Sequence, residues 1–433
     1  MKWSIVALCS MAILGGPLLA AQAPDAYDLG RCIRAALAKS PDVRAVSADL
    51  AAARARLAEA RAGRFGEAEW VQVFGAVNEA RGNPVYSPDS KNDFFNGLGP
   101  FTRIEFDVRI PLYTFGKLDA ALEAAQKGLQ SERAQGDATR AEVIQNTKQL
   151  YYGLLLTRIL SDILHEMLGN MDEAIAKTKK RLEGGSKSVT ELDLLKLRIG
   201  RAKFAKGLFQ VDASMALTRN ALARQVGVED EASFDIADRR LKPVDVDLQP
   251  LGDYLEQGPR RRPEWRQLQS GIAAQTAKLE LEEAGYYPSF FLATGVHYGI
   301  APNRTEQDNP FAYDEFNFIQ PIGVLGLHWD LNFFTTGAKV AQARADLERL
   351  KIKRQEAASG LQLDIRRAYS DVEQARQTIE AAEQGRKAAR GLLILTVSNF
   401  DLGIGDPEEL FKAYGSYTES STDYFRSVHD YNV

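Results

Sequence analysis

Cysteine is nearly absent: the 433 residues hold only Cys9 and Cys32. Cys9 falls in a stretch that reads as a secretory signal, in which Lys2 is followed by an apolar run from Ile5 to Leu19 and by Ala21-Gln22-Ala23. One thiol then remains in the exported chain, and an internal disulfide is excluded. Cys32 follows Arg31 rather than an apolar signal core, which argues against lipid attachment there. Histidine is scarce too. His165, His297, His328 and His429 stand far apart and never take the close spacing of a metal site, so no metal or other cofactor is expected. No later apolar run approaches the ~20 residues of a membrane-spanning helix, so any membrane contact must come through strands. An excess of positive charge is also lacking. Removing Lys2 with the signal takes the formal charge from -4 to -5, which speaks against a nucleic-acid partner. There is no Gly-rich phosphate loop, nucleophile elbow or pair of catalytic carboxylates, so the chain reads as something other than an enzyme.

What the chain does contain is organised around Phe101 to Leu129. From Thr102 to Ile110 the residues alternate strictly, with Ile104, Phe106, Val108 and Ile110 on one face and Arg103, Glu105, Asp107 and Arg109 on the other. A period of two predicts a strand. Pro111 interrupts it, Gly116 turns the chain, and apolar residues from Leu118 onward recur at three and four, which predicts a helix. The pattern returns as a strand over Gly323 to Phe334. There Leu325, Leu327, Trp329 and Leu331 alternate with Gly326, His328, Asp330 and Asn332, and Gly337 answers Gly116.

The rest of the chain falls into two copies. Helix is expected from about Asp28 to Arg61, with an interruption at Ser40-Pro41, and a strand over Phe65 to Asn78. No proline occurs from Lys117 to Glu183, where ~65 helical residues would extend on the order of 100 Å. Gly184-Gly185-Ser186 breaks that helix, Thr190 caps the next, and the pair makes a coiled-coil hairpin. The second copy repeats the order: helix from Pro263 to Gly285, strand from Pro288 to about Ile300, the strand ending at Phe334, helix from Ala338 to Asn399 and helix from Glu408 to His429. Tyr151 and Tyr369 correspond at an offset of 218, and Asp193-Leu-Leu-Lys196 and Glu409-Leu-Phe-Lys412 at 216. The organisation expected is therefore a signal at 1–23, a first repeat at 24–227, a connector at 228–262 and a second repeat at 263–433.

Four strands with one apolar face neither close a barrel nor bury themselves, and several chains pooling their hairpins would remove the open edges. In lipid only closure satisfies the backbone. The charged face of the first long strand would then line water, and the apolar faces of both long strands would meet lipid.

At this point the chain resembles the TolC-like outer-membrane efflux proteins. The resemblance runs over nearly everything after the signal: RPEW at Arg262 to Trp265, YYPSF before the third strand, PLYTFG and NFFTTG at the strand-to-helix turns, GIGDPEELFKA, and DYFRSVHDYN near the end. It implies a mostly α protein with a transmembrane β-barrel. Three copies would build a twelve-stranded barrel in the outer membrane, continued through the periplasm by an α-helical barrel. Such a homotrimer would serve as an export channel for a periplasmic adaptor and an inner-membrane transporter. A periplasmic coiled-coil adaptor without a pore is the alternative reading, but it leaves the four strands without a purpose. The family usually continues beyond DYN, which makes the last helix short against its partner near Gly227.

The breaks between paired helices run into acidic residues: Glu191 and Asp193 after the first, and Asp406, Glu408 and Glu409 around the second. The resemblance implies a periplasmic entrance narrowed by acidic rings, with Glu409 at the place of a family aspartate and Lys412 at that of the next. Lys412 is at helical spacing from Glu408 and adjacent in reach to Glu409. Carboxylates in a helix's first turn also favour its dipole, which is the ordinary reason for finding them there.

Overall fold

A computed structural model describes residues 26–82, 91–92, 97–185, 189–229, 234–307, 311 and 314–433. The expected signal at 1–23 lies outside these. The chain divides into two compact units: Pro41–Ala141 with Leu248–Tyr369, and Met1–Ser40 with Glu142–Asp247 and Ser370–Val433. They cut across the sequence repeats, because the two longest helices each contribute to both.

The first unit carries the strands. Helix α1 (Leu29–Lys39), which belongs to the other unit, ends at Ser40, and α2 (Pro41–Ala62) starts with proline in its first turn, where a missing N–H costs nothing. Strand β1 (Glu67–Val77) is followed by a short pair, β2 (Ala80–Arg81) and β3 (Lys91–Asn92), and then by β4 (Gly99–Tyr113). After α5 (Leu251–Arg261) and α6 (Pro263–Ala284) come β5 (Ser289–Ile300) and β6 (Phe318–His328). The long strands form one antiparallel sheet in the order β1-β4-β5-β6. Thus β1 and β4 of the first copy and β5 and β6 of the second pair within themselves, and β4 joins β5. Among the described residues no strand covers the outer edge of β1 or of β6.

Four expectations are corrected. Strand β4 runs through Pro111 to Tyr113, the ladder accommodating the missing N–H by a register shift between Pro111 and Tyr113. The second copy's last strand begins at Phe318 and ends at His328, so Trp329 and Leu331 are not strand residues. The Trp329 indole instead donates to the Tyr286 carbonyl at 3.0 Å and meets the Phe333 ring edge-on, which closes the strand and opens the helix. Helix α7 accordingly starts at Phe333 and contains Gly337, whereas Gly116 is a true turn residue at φ +86°. Finally, α5 forms inside the expected connector, with Gly258 leaving room for Ile365 of α7.

The helices are α3 (Lys117–Glu183), α4 (Glu191–Val226), α7 (Phe333–Leu402) and α8 (Pro407–Asn432). Two cores lie in the helical unit. One joins Leu164, Met167 and Met171 of α3 to Leu197, Phe204 and Leu208 of α4 and to Phe400, Leu410 and Tyr414 of the second hairpin. The other gathers Cys32, Tyr151, Leu154, Leu222, Ile236 and Val428. Here the Tyr151 hydroxyl donates to Asp238 at 2.6 Å, and burial, then that carboxylate, push its pKa well above the ordinary value. Burial, with Asp28 nearby, pushes the Cys32 thiol up to about 12, which leaves it inert. Among the described residues no helix is long and apolar enough to cross a membrane.

Candidate functional site

Two features of the chain are built for more than folding, one in each unit. The first is the sheet. Residues paired across strands share a face, and successive residues alternate. The register therefore assembles one face from Trp70, Ile104, Phe106, Val108, Ile110, Leu292, Val296, Tyr298, Ile319, Leu325 and Leu327, in which only Gln72, Thr102 and Thr294 interrupt the apolar surface. Every acidic, basic or histidine side chain of the four strands falls on the other face: Glu67 and Glu69 of β1, Arg103, Glu105, Asp107 and Arg109 of β4, His297 of β5 and His328 of β6. That face also bears Val71, Val73, Ile322 and Val324, so it is mixed rather than wholly polar.

The polar face satisfies itself locally. Arg103 pairs with Glu105, and His297 Nε2 lies 3.1 Å from both oxygens of Asp107. The Arg109 guanidinium sits 5.1 Å from the centre of the Phe291 ring. The apolar face has no such cover. Leu325 is 78% exposed and Ile319 70%, levels that a large aliphatic surface in water does not sustain. Sequence alternation found this segregation on β4 and on Leu325 and Leu327 of β6. It said nothing of β5, whose contribution depends on the register.

The second feature is the tip of the helical hairpins. Thr190 caps α4: Asp193 N–H donates to its hydroxyl at 3.3 Å, while Asp193 Oδ2 accepts from the Thr190 N–H at 2.9 Å and hydroxyl at 2.7 Å. This reciprocal arrangement occupies Asp193 in starting the helix. Asp406 caps α8 in turn, accepting from the Glu408 N–H at 2.8 Å, with Pro407 behind it. Glu408 is held by two lysines. Lys196 of α4 donates to Oε2 at 2.7 Å and Lys412 of α8 lies 2.9 Å from Oε1. Hydrogen bonds from Lys196 and then Lys412 hold the Glu408 pKa down at about 2. A depressed carboxyl pKa contributes above the unfolded value and is lost as pH falls through the folded one, so the tie is complete above 4.5 and disappears only toward about 2.

Of the six residues expected at an entrance, then, Asp193 and Asp406 cap helices and Glu408 and Lys412 pair with each other. Glu191 and Glu409 project from first turns with no hydrogen bond or ion pair among the described residues. Spacing alone does not single out Lys196 as a partner of Glu408, although the repeat relates Lys196 to Lys412. Lys177 and Arg181, in a basic run beside the first break, turn inward. Lys177 pairs with Asp401 at 2.8 Å, and Arg181 donates to the Asp401 carbonyl at 2.9 Å and lies over the Phe400 ring. Ion pairs therefore join α3 to the end of α7 and α4 to α8.

One close approach sets the hairpin spacing. A Cβ on Gly200 would lie 2.4 Å from Phe411 Cδ2 and 3.2 Å from Met171 Cε. Gly200→Val is expected to destabilise the fold by ~1–3 kcal/mol, the usual cost of overpacking. Loss of helical circular dichroism on heating should then set in earlier; an unchanged melting profile would mean that Phe411 swings clear. Among the described residues no cluster of His, Cys, Asp or Glu is arranged to hold a metal.

The family model described as outer membrane efflux protein matches residues 101–228, from the start of β4 to the end of α4. Protein CyaE of Bordetella pertussis is 24% identical over 309 residues, 71% of this chain and 63% of that protein. Fusaric acid resistance protein FusA of Burkholderia cepacia is 25% identical over 284 residues, 63% of this chain and 51% of that protein. The chain thus spans about half to just under two thirds of these relatives. Among solved structures, the Campylobacter jejuni CmeC outer membrane channel superimposes with a TM-score of 0.76 at 14% identity, covering 93% of this chain and 83% of that one. The fold is that of the TolC-type channels. The chain thus carries a match to the outer membrane efflux protein model over residues 101–228 and shares the fold of the solved outer-membrane channels. These solved structures are outer-membrane channels.

Proposed function

We propose that three copies of this chain form an export channel of the outer membrane, receiving substrates from an inner-membrane transporter and a periplasmic adaptor. The observation that carries this reading is the complete sorting of charge onto one face of a four-stranded sheet with two open edges. Closing β1 of one copy on β6 of the next satisfies both ladders, and three copies give twelve strands around a water-filled bore. Arg103, Glu105, Asp107 and Arg109 line the bore, and Ile104, Phe106, Val108, Ile110, Leu325 and Leu327 face lipid. The two repeats, 24–227 and 263–433, supply equivalent hairpins to the barrel and equivalent helical pairs to the tunnel. No enzymatic step or cofactor is required of it.

At the entrance, threefold symmetry turns the free carboxylates Glu191 and Glu409 into rings near one axis, supported by the caps at Asp193 and Asp406, and these favour cations. Glu408 serves the same entrance by holding α4 to α8 through Lys196. FusA's printed name, fusaric acid resistance protein, favours small toxic organic compounds as cargo. An adaptor without a pore has no use for the apolar sheet face, and that separates the two readings. Purified in mild detergent, the protein is expected to have three times the chain mass after subtraction of detergent and to open conducting pores in a planar bilayer. A monomer extractable without detergent would instead be the mark of the adaptor.

A further inference from the structure

His297 and His328 are the only histidines of the four long strands, and both fall on the charged face. His297 sits among carboxylates. Its Nε2 lies 3.1 Å from both oxygens of Asp107, and Glu105 stands directly opposite it on β4. Asp107 in turn stands opposite Glu69 of β1, where two like charges repel. The cations of β4 are engaged elsewhere, Arg103 with Glu105, and Arg109 opposite Glu67 and over the Phe291 ring. From β6 only the uncharged Gln320 faces His297. His328 has a different setting. It pairs with Ser289 of β5, whose hydroxyl accepts from Lys117 at 3.2 Å, and Asp330 is close enough to Lys117 to interact with it.

The formal charge of this face therefore turns on two rings. Glu67, Glu69, Glu105 and Asp107 against Arg103 and Arg109 leave -2 per copy while both imidazoles are neutral, and zero once both carry a proton. Lys117 and Asp330 beside His328 cancel and leave the count as it is. Three copies around one bore swing from -6 to zero. Imidazole is the side chain that takes up a proton between about pH 8 and pH 5, a range over which carboxylates as a class stay ionised. A water-filled passage lined by one sign of charge and walled by a low dielectric draws in the opposite ion and turns back its own.

We infer that His297 and His328 set the charge selectivity of the barrel according to pH. With the rings neutral the bore favours cations, organic ammonium compounds included, and hinders anions. With the rings protonated it passes both signs alike. His297 has the larger share, because its proton arrives beside Asp107, Glu105 and Glu69, whereas that of His328 arrives beside a Lys117 and Asp330 pair already in balance. The inference rests on the proposed facing of the charged side toward the bore. It is separate from the carboxylates of the helical tip, Glu191 and Glu409, which have no histidine beside them in the sequence.

Reversal potentials of the assembled protein in a planar bilayer test it, read across a potassium chloride gradient at about 0.1 M and below, where charges are screened over ~10 Å or more. Between about pH 8 and about pH 5.5 the potassium-to-chloride permeability ratio should fall by roughly twofold or more. H297Q/H328Q should flatten that fall. H297K/H328K fixes the positive charge and should hold at pH 8 the weak preference that the unmodified channel shows only in acid, with H297K alone accounting for more of it than H328K. Heat-resistant oligomer shows that each variant assembles, and the glutamine and lysine pairs are independent, so either can decide. A ratio that does not move with pH overturns the inference while the channel reading stands. So does a fall as large in H297Q/H328Q as in the unmodified channel, which would assign the titration to the tip carboxylates, or a lysine pair that keeps the full preference at pH 8. If the protein conducts no ions, the channel reading itself fails and the filter falls with it.

Discussion

Phe106→Arg is expected to strip the outer membrane of assembled protein. Phe106 lies at the middle of β4, between Trp70 on one side and Val296 on the other, its ring 6.3 Å from that of Trp70. It is 40% exposed, and no charge of the four strands shares its face. An arginine on the lipid face at mid-membrane costs roughly 2–4 kcal/mol, equivalent to about 30-fold to several-hundred-fold in an assembly equilibrium for each copy. Asp107→Arg is the matched control one residue away. It gives up the contact with His297 but stands directly opposite Glu69, so the new charge gains a cross-strand partner and stays on the polar face. The measurement is the amount of heat-resistant oligomer in washed outer membranes, with total expression as reference. Loss for Phe106→Arg with near-normal levels for Asp107→Arg is the expected pair. Equal tolerance would mean that the two faces have been assigned the wrong way round.

The sequence made the segregation visible on β4 because strict alternation over nine residues has one interpretation. It failed on β6 for a physical reason. Leu325 to Leu331 alternates just as well, but Trp329 finds a hydrogen-bond acceptor and a ring in Tyr286 and Phe333, and that tertiary contact ends the strand at His328. Pro321 lies within β6 opposite Val296, and proline is uncommon inside a strand, which weakens the sequence signal from Phe318 onward. The long helices were legible from the lack of proline and the apolar stripe, and their breaks from glycine. Helix α5 was not, since its Pro259 and charges read as connector, and it holds through packing such as that of Gly258 on Ile365 and Tyr254 on Tyr369. At the tip, position was readable but partnership was not. The repeat relates Lys196 to Lys412, yet nothing in the spacing says that both reach the one carboxylate of Glu408, whose counterpart in the first copy is the exposed Leu192.

That convergence leads to the second large effect: Lys196→Glu is expected to raise single-channel conductance and lengthen openings. The substitution replaces the donor at 2.7 Å with a second carboxylate facing Glu408, so an attraction between α4 and α8 becomes a repulsion at the same place. Lys412→Glu removes the other lysine but is the weaker change, because Lys412 and Glu408 stand four residues apart on one helix and breaking their bond frees neither hairpin. Both lysines and Glu408 are in contact with solvent, with Lys196 and Glu408 38% and 39% exposed, so salt should mimic the first variant. Conductance of the unmodified channel should therefore rise with salt more steeply than the conductivity of the solution does. Glu191→Ala with Glu409→Ala should behave differently, lowering the preference for cations while leaving open times alone, since neither residue takes part in the tie. The ordering Lys196→Glu well above Lys412→Glu is what assigns the closure to the contact between hairpins. Identical currents from the two lysine variants, in channels that assemble normally, would show that Glu408 merely starts its own helix and that something else holds the entrance shut.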